Sequence, residues 1–135
     1  MIRHAEGTAG ANGYRTLFGG KLFNDYAQHP RVKVPFRNTY STAAGAYQFL
    51  YSTWYRLSLK LGLKDFSPES QDKACIELIR EKNALEDVKN GNFESAIKKI
   101  AKVWASLPGA GYNQPEKKIA ELQKVYTQNG GKLIA

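Results

Sequence analysis

The stretch GYRTLFGGKLFND, residues 13–25, decides the fold class. Two short aromatic-rich runs, Tyr14 to Phe18 and Lys21 to Asp25, flank the pair Gly19-Gly20. Glycines supply the positive φ of a tight turn, so the pattern predicts a β-hairpin. Almost everything else with a period reads as helix. The expected class is therefore α+β, mainly helical with one small β-hairpin lobe and a cleft between the lobes.

Before the hairpin, residues 1–6 read as the tail of a helix stopped by Gly7 and by the Gly10, Asn12, Gly13 cluster. After it, residues 26–42 contain Pro30, Pro35 and a Thr/Ser cluster without sustained periodicity, and are expected to be mostly irregular. From Ala43 to Lys60 the spacing of Tyr47, Leu50, Trp54, Leu57 and Leu61 predicts a helix closed by Gly62. Ser67-Pro68 is an N-cap followed by proline at the first helical position, opening a helix that buries Ala74, Cys75, Leu78 and Ile79. A short turn near Leu85 to Val88 ends at Asn90-Gly91. Another helix starts near Asn92, with Phe93, Ile97, Ile100 and Trp104 inward, and Pro108-Gly109-Ala110-Gly111 breaks it. The last helix is expected from Pro115 to Gly130, using Ile119, Leu122 and Tyr126. No repeat or linker interrupts the chain, so residues 1–135 read as a single domain.

Composition narrows the function classes. A chain of 135 residues with a formal charge of +8 suits one basic domain. Cys75 is the only cysteine, which excludes a disulfide scaffold and zinc sites built on paired cysteines. His4 and His29 lack metal-ligand spacing, so no metal and no cofactor is expected. No apolar run approaches the ~20 residues that span a bilayer, and the start MIRHAE has no signal-peptide core, so no stable membrane insertion is expected. Residues 89–135 carry eight Lys/Arg against three Asp/Glu, a bias that fits an anionic partner. The chain has no phosphate-binding loop, ribonucleoprotein motif or zinc finger, which argues against nucleic acid.

Glu6 stands where chemistry would sit, at a helix end and before a glycine-rich loop. Loss of water disfavours the charged form of a carboxyl, and a protonated Glu is what protonating a glycosidic oxygen requires. Position alone does not separate that role from an ordinary surface carboxylate. Glycosidases generally use two carboxylates, and the next acid along the chain is Asp25. Either Asp25 folds back toward Glu6, or one carboxyl suffices because the substrate brings its own nucleophile, as the muramic acid 6-hydroxyl can. Sugar contacts are expected from two polar-aromatic segments: residues 41–49, with Tyr47 and Gln48, and residues 106–114, with Tyr112, Asn113 and Gln114. Packing or capping roles for these side chains remain open from the residues alone. Cys75, on an apolar stripe, reads as an inert thiol.

Five landmarks in order carry a resemblance over nearly the whole chain: Glu6-Gly7-Thr8, GYRTLFGGKLFNDYAQHPR at 13–31, STAAGAYQF at 41–49, LGLKDFSPESQD at 61–72 and WASLPGAGYNQ at 104–114. The sequence resembles the lambda-type phage endolysins, lysozyme-like lytic transglycosylases. That resemblance implies a single catalytic glutamate, matching Glu6, and non-hydrolytic cleavage of the MurNAc–GlcNAc β-1,4 bond of peptidoglycan to leave 1,6-anhydro-muramic ends. It implies that Gln48, beside Tyr47, lines the cleft and that Tyr112 borders the saccharide groove. It also implies an enzyme that waits in the host cytoplasm and acts at the cell wall; a monomer is the expectation for its assembly. Phage lysozymes with a Glu-Asp-Thr set place their aspartate where Arg15 stands here. Ala46 occupies a position where arginine is common, and Asn113 one where glycine is common. The helix ahead of Glu6 is expected to be shortened, so packing must hold it. The alternatives are a hydrolytic muramidase with Asp25 as base, a catalytically impaired wall-binding module, and membrane damage by the basic C-terminal helix.

Overall fold

The computed structural model describes residues 1–104, 107, 117–129 and 131. Its elements run α1 (Ile2–Glu6), a 3-10 turn (Gly13–Arg15), β1 (Val34–Phe36), β2 (Thr39–Ser41), α2 (Tyr51–Leu61), α3 (Pro68–Glu81), α4 (Leu85–Asn90), α5 (Phe93–Ile100) and α6 (Ile119–Gln128). The chain divides into two compact units, one of residues 1–6 and 78–135, the other of residues 7–77. The architecture is α+β, with one two-stranded sheet among the described residues.

In the unit of residues 7–77, an aromatic cluster forms around Phe66, which is fully buried. Its ring meets Trp54 edge-on at 4.6 Å, His29 at 5.0 Å and Phe23 at 5.8 Å. Phe49 extends the cluster through Trp54. Each such pair contributes ~0.5–1.5 kcal/mol beyond simple area burial. α2 contributes Trp54 and Leu57 to this core, whereas Leu61 and Leu50 stay exposed. Gly62 ends α2 in the left-handed conformation, and Ser67 caps α3 by accepting the Ser70 N–H. α3 buries Ala74, Cys75 and Leu78, with Ile79 half-buried.

In the other unit, α5 turns Phe93, Ala96, Ile97 and Ile100 inward, and Trp104 is buried just beyond its end. Asp87 of α4 accepts from Lys99 at 2.6 Å and Ser95 at 3.1 Å, fastening α4 to α5. The Tyr126 hydroxyl of α6 donates to the Val88 carbonyl at 2.8 Å, with its ring against Phe93. The turn expected at 85–88 is thus a short helix closed by left-handed Gly91. The expected start of the last helix at Pro115 lies outside the described residues.

Two expectations are corrected. The sheet is not at residues 14–25. There, Gly19 and Gly20 do adopt positive φ, but the pairing is a single Thr16–Leu22 bridge. Residues 16–18 are shared with a second partner: Leu17 bridges Ala44, and Phe18 N–H donates to the Ala43 carbonyl. The strands instead occupy residues 34–41, paired Val34 with Ser41, Pro35 with Tyr40 and Phe36 with Thr39. Pro35 argued against a strand, yet a two-stranded ribbon has free edges that need no proline N–H. The turn residue Arg37 takes φ 56° without any glycine signal.

The expected helix from Ala43 begins only at Tyr51. Residues 43–50 form a tight loop in which Ala44 and Phe49 exchange both backbone hydrogen bonds. Gly45 at φ 84° and Gln48 at φ 50° have left-handed backbones that a helix cannot contain.

His29 is buried, and its ring nitrogens fix one tautomer. Nε2–H donates to the Phe49 carbonyl at 2.8 Å, and Nδ1 accepts the Arg31 N–H at 3.1 Å. Burial pushes the imidazole below its ordinary value of about 6.5, against the opposing pull of the Phe49 bond. Above that value both folded and unfolded chains keep the ring neutral. As pH falls below it, the unfolded chain takes up a proton that the folded chain refuses, so stability drops until the folded ring also protonates. Urea midpoints are expected to fall as pH is lowered from about 6.5, and His29→Gln is expected to flatten that slope. An identical slope in the variant would show that His29 is not its source.

Candidate active site

α1 is one turn and a half of helix, too short to stand alone. Buried Ile2 and Ala5 seat it, and His4 Nε2 pairs with Glu121 of α6 at 2.7 Å. That hydrogen bond holds the Glu121 carboxyl below its usual range. Glu6, the last residue of α1, is half-buried. The chain leaves through Gly7 at φ 76°, where a side chain would be strained, and reaches Thr8, which is 2% exposed. The Thr8 hydroxyl donates to the Ala46 carbonyl.

Ala46 is held from its other side as well. Its N–H donates to Gln71 Oε1 at 2.9 Å, while Gln71 Nε2 donates to the carbonyls of Phe66 at 2.8 Å and Tyr14 at 3.0 Å. Gln71 is completely buried, and these three bonds satisfy its amide. One residue on, Asp72 Oδ1 accepts both the Tyr47 hydroxyl at 2.7 Å and the Tyr14 hydroxyl at 2.8 Å. The two rings meet edge-on at 6.4 Å. Burial, reinforced by the bond to Asp72, holds the Tyr47 phenol far above the usual tyrosine range, so it is a donor and not a nucleophile.

Gln48 donates through Nε2 to the carbonyls of Gly45 at 2.9 Å and Thr16 at 3.0 Å. Its Oε1 has no hydrogen-bond partner among the described residues. Tyr47 and Gln48 therefore share one loop, pinned by Thr8 and by Gln71. Tyr112, Asn113 and Gln114 lie outside the described residues. Asp25 is exposed, and its carboxylate accepts the Ala27 N–H at 2.7 Å. Burial drives the Cys75 thiol far above its ordinary range, which leaves it protonated and unreactive. Among the described residues no group of three or more His, Cys, Asp or Glu is placed to hold a metal ion. No described helix is long and apolar enough to cross a membrane.

Sequence reasoning did not single out Gln71 and Asp72 as site residues. Gln71 falls on the inner stripe with Ala74, Cys75 and Leu78, and a polar side chain on an otherwise apolar stripe is the signal that it must be fully bonded. Asp72 leaves no comparable trace, because its tyrosine partners are 58 and 25 residues away.

This arrangement defines a lysozyme-like protein. The bacteriophage lambda lysozyme solved in complex with a chitohexasaccharide superposes with a TM-score of 0.93 at 39% identity, covering 98% of this chain and 91% of that one. A second structure of lambda lysozyme gives a TM-score of 0.89. The chain belongs to the endolysin family, whose sequence model matches residues 1–133. It is 41% identical to the endolysin of Escherichia phage lambda and 42% identical to that of Escherichia phage P2. Those alignments cover 97% of this chain and 87% and 89% of the relatives.

The loop makes a direct prediction at Gly45. A Cβ there would lie 2.3 Å from Gln71 Oε1 and 2.9 Å from the Phe66 ring, on a left-handed backbone. Gly45→Ala is expected to cost about 2–4 kcal/mol from backbone strain plus overpacking. A thermal midpoint unchanged from wild type would contradict the packing described.

Proposed function

We propose that this endolysin cleaves the MurNAc–GlcNAc β-1,4 bond of peptidoglycan by lytic transglycosylation, with Glu6 as its catalytic acid and base. The reading rests on membership of the endolysin family and on the likeness to a lysozyme that binds a chitohexasaccharide. One observation favours the one-carboxyl route: the alternative base, Asp25, lies exposed in a turn, with Oδ1 bonded to the Ala27 N–H. Glu6 protonates the leaving 4-oxygen as the C1–O4 bond breaks. The muramic 6-hydroxyl then closes onto C1, and its proton returns to Glu6. No water is consumed, and the carboxyl ends as it began. Gln48 offers Oε1 as an acceptor for a sugar hydroxyl or N-acetyl N–H, with its Nε2 already anchored. Tyr112, Asn113 and Gln114 supply further saccharide contacts. Such an enzyme acts at the cell wall as one domain and a monomer.

Mass spectrometry of digested sacculi tests the reaction. Anhydro-muropeptides are expected; products heavier by one water would assign the hydrolase, with Asp25 the first residue to test by Asp25→Asn. Glu6→Gln is expected to lower the rate at least about 100-fold, the usual scale for a lost general acid, with an unchanged circular dichroism spectrum. Undiminished lysis by that variant would remove Glu6 from its role and favour membrane damage by the basic helix.

A further inference from the structure

Beside the small sheet, in the unit of residues 7–77, lies a cavity of about 500 Å³ between the strand hydroxyls and the start of α2. Arg31, Lys33, Thr39, Tyr40, Tyr51 and Ser52 line it. Its two cations are pre-positioned. The Arg31 guanidinium lies 4.2 Å from the centre of the Tyr51 ring, and the Lys33 ammonium 4.7 Å from that of Tyr40. Neither forms an ion pair among the described residues. Arg31 also holds φ 57°, a left-handed backbone uncommon for a long side chain, fixed by its N–H bond to His29. Backbone strain of this kind persists only where surrounding structure enforces it, and it clusters at ligand clamps.

Two cations over aromatic faces, without an ion pair among the described residues and with hydroxyl side chains in the same lining, suit an extended ligand bearing more than one carboxylate. Sugar rings need no such charge. We propose that this cavity binds the carboxylates of the peptide that a peptidoglycan strand carries on its muramic lactyl groups. The proposal deepens the reading above and rests on it. The cavity and the Gln48 loop are consecutive in the chain, joined where Thr42 Oγ1 accepts the Tyr51 N–H at 3.0 Å. A strand recognised at Gln48 would present its peptide on the same unit.

The test compares binding of peptide-bearing glycan strands with that of strands stripped of peptide by an amidase. It uses the Glu6→Gln protein, so that strands stay intact, at low salt. The expected preference for peptide-bearing strands is roughly 10-fold, the scale of one or two charge-assisted hydrogen bonds offset by screening. Arg31→Asn with Lys33→Gln is expected to erase it; Asn tolerates the left-handed backbone, and the thermal midpoint checks the fold. Lys98→Gln with Lys124→Gln removes the same charge elsewhere and is expected to keep the preference. Equal weakening in both double variants, or no preference in the parent, overturns the proposal. So does loss of binding to phosphatidylglycerol vesicles in the Arg31/Lys33 variant while the strand preference survives, which would make the site a lipid contact. Wild-type protein that releases no muropeptides from sacculi overturns the enzymatic reading instead, and the binding comparison stands apart from it.

Discussion

The unit that carries Tyr47 and Gln48 depends on one buried carboxamide. Gln71 reaches from α3 to three backbone groups in three different segments: Ala46 N–H, Tyr14 carbonyl and Phe66 carbonyl. Ala46 and Phe66 lie outside any helix or strand, and Tyr14 lies in the short 3-10 turn. Without the amide, the Ala46 N–H and the Phe66 carbonyl lose a partner in the interior, at a cost of ~1–3 kcal/mol apiece. Gly45 follows from the same constraint, since the amide oxygen occupies the space where a Cβ would stand. The path of the loop and the packing at Gly45 thus follow from one side chain.

Asp72, next along α3, extends this control to side chains. Successive helical residues point about 100° apart, so Gln71 can enter the loop core while Asp72 meets the Tyr14 and Tyr47 hydroxyls at its half-buried margin. Both phenols converge on a single carboxylate oxygen, which orients the two rings. Cys75 completes the turn and is buried. One face of one helix therefore supplies backbone clamp, ring orientation and core filler in that order.

Legibility in the sequence tracks the range of each interaction. Gly62, Gly91 and Ser67 act within a turn of their own helices, and all three do what their types predict. The inner stripe of α5 is likewise a local, periodic signal. The sheet was not readable, because Pro35 and a turn at Arg37-Asn38 hide it from composition and spacing. Residues 43–50 looked helical because Tyr47, Leu50 and Trp54 keep helical spacing by accident of a loop that buries Ala43, Ala44, Ala46 and Phe49. At the candidate site, Glu6, Tyr47 and Gln48 were nameable from motif order. The groups that pin their surroundings were not, since motif order says nothing about hydrogen bonds.

Glu6 illustrates the limit most sharply. Five residues of helix have no stability of their own, so packing must hold the segment that carries that carboxyl. On the side before it, one restraint is His4 to Glu121, 117 residues apart, beside the burial of Ile2 and Ala5. On the side after it, the restraint is Thr8 to Ala46, 38 residues apart. Closing loops of such length costs entropy that the contacts must recover, and only a folded unit can do so. Placement of the acid is therefore a consequence of completed folding on both flanks. In this protein the EGT motif is accordingly as much a structural joint as a chemical signature: the glutamate ends one helix, the glycine allows the turn, and the threonine fastens the chain to the Ala46 loop.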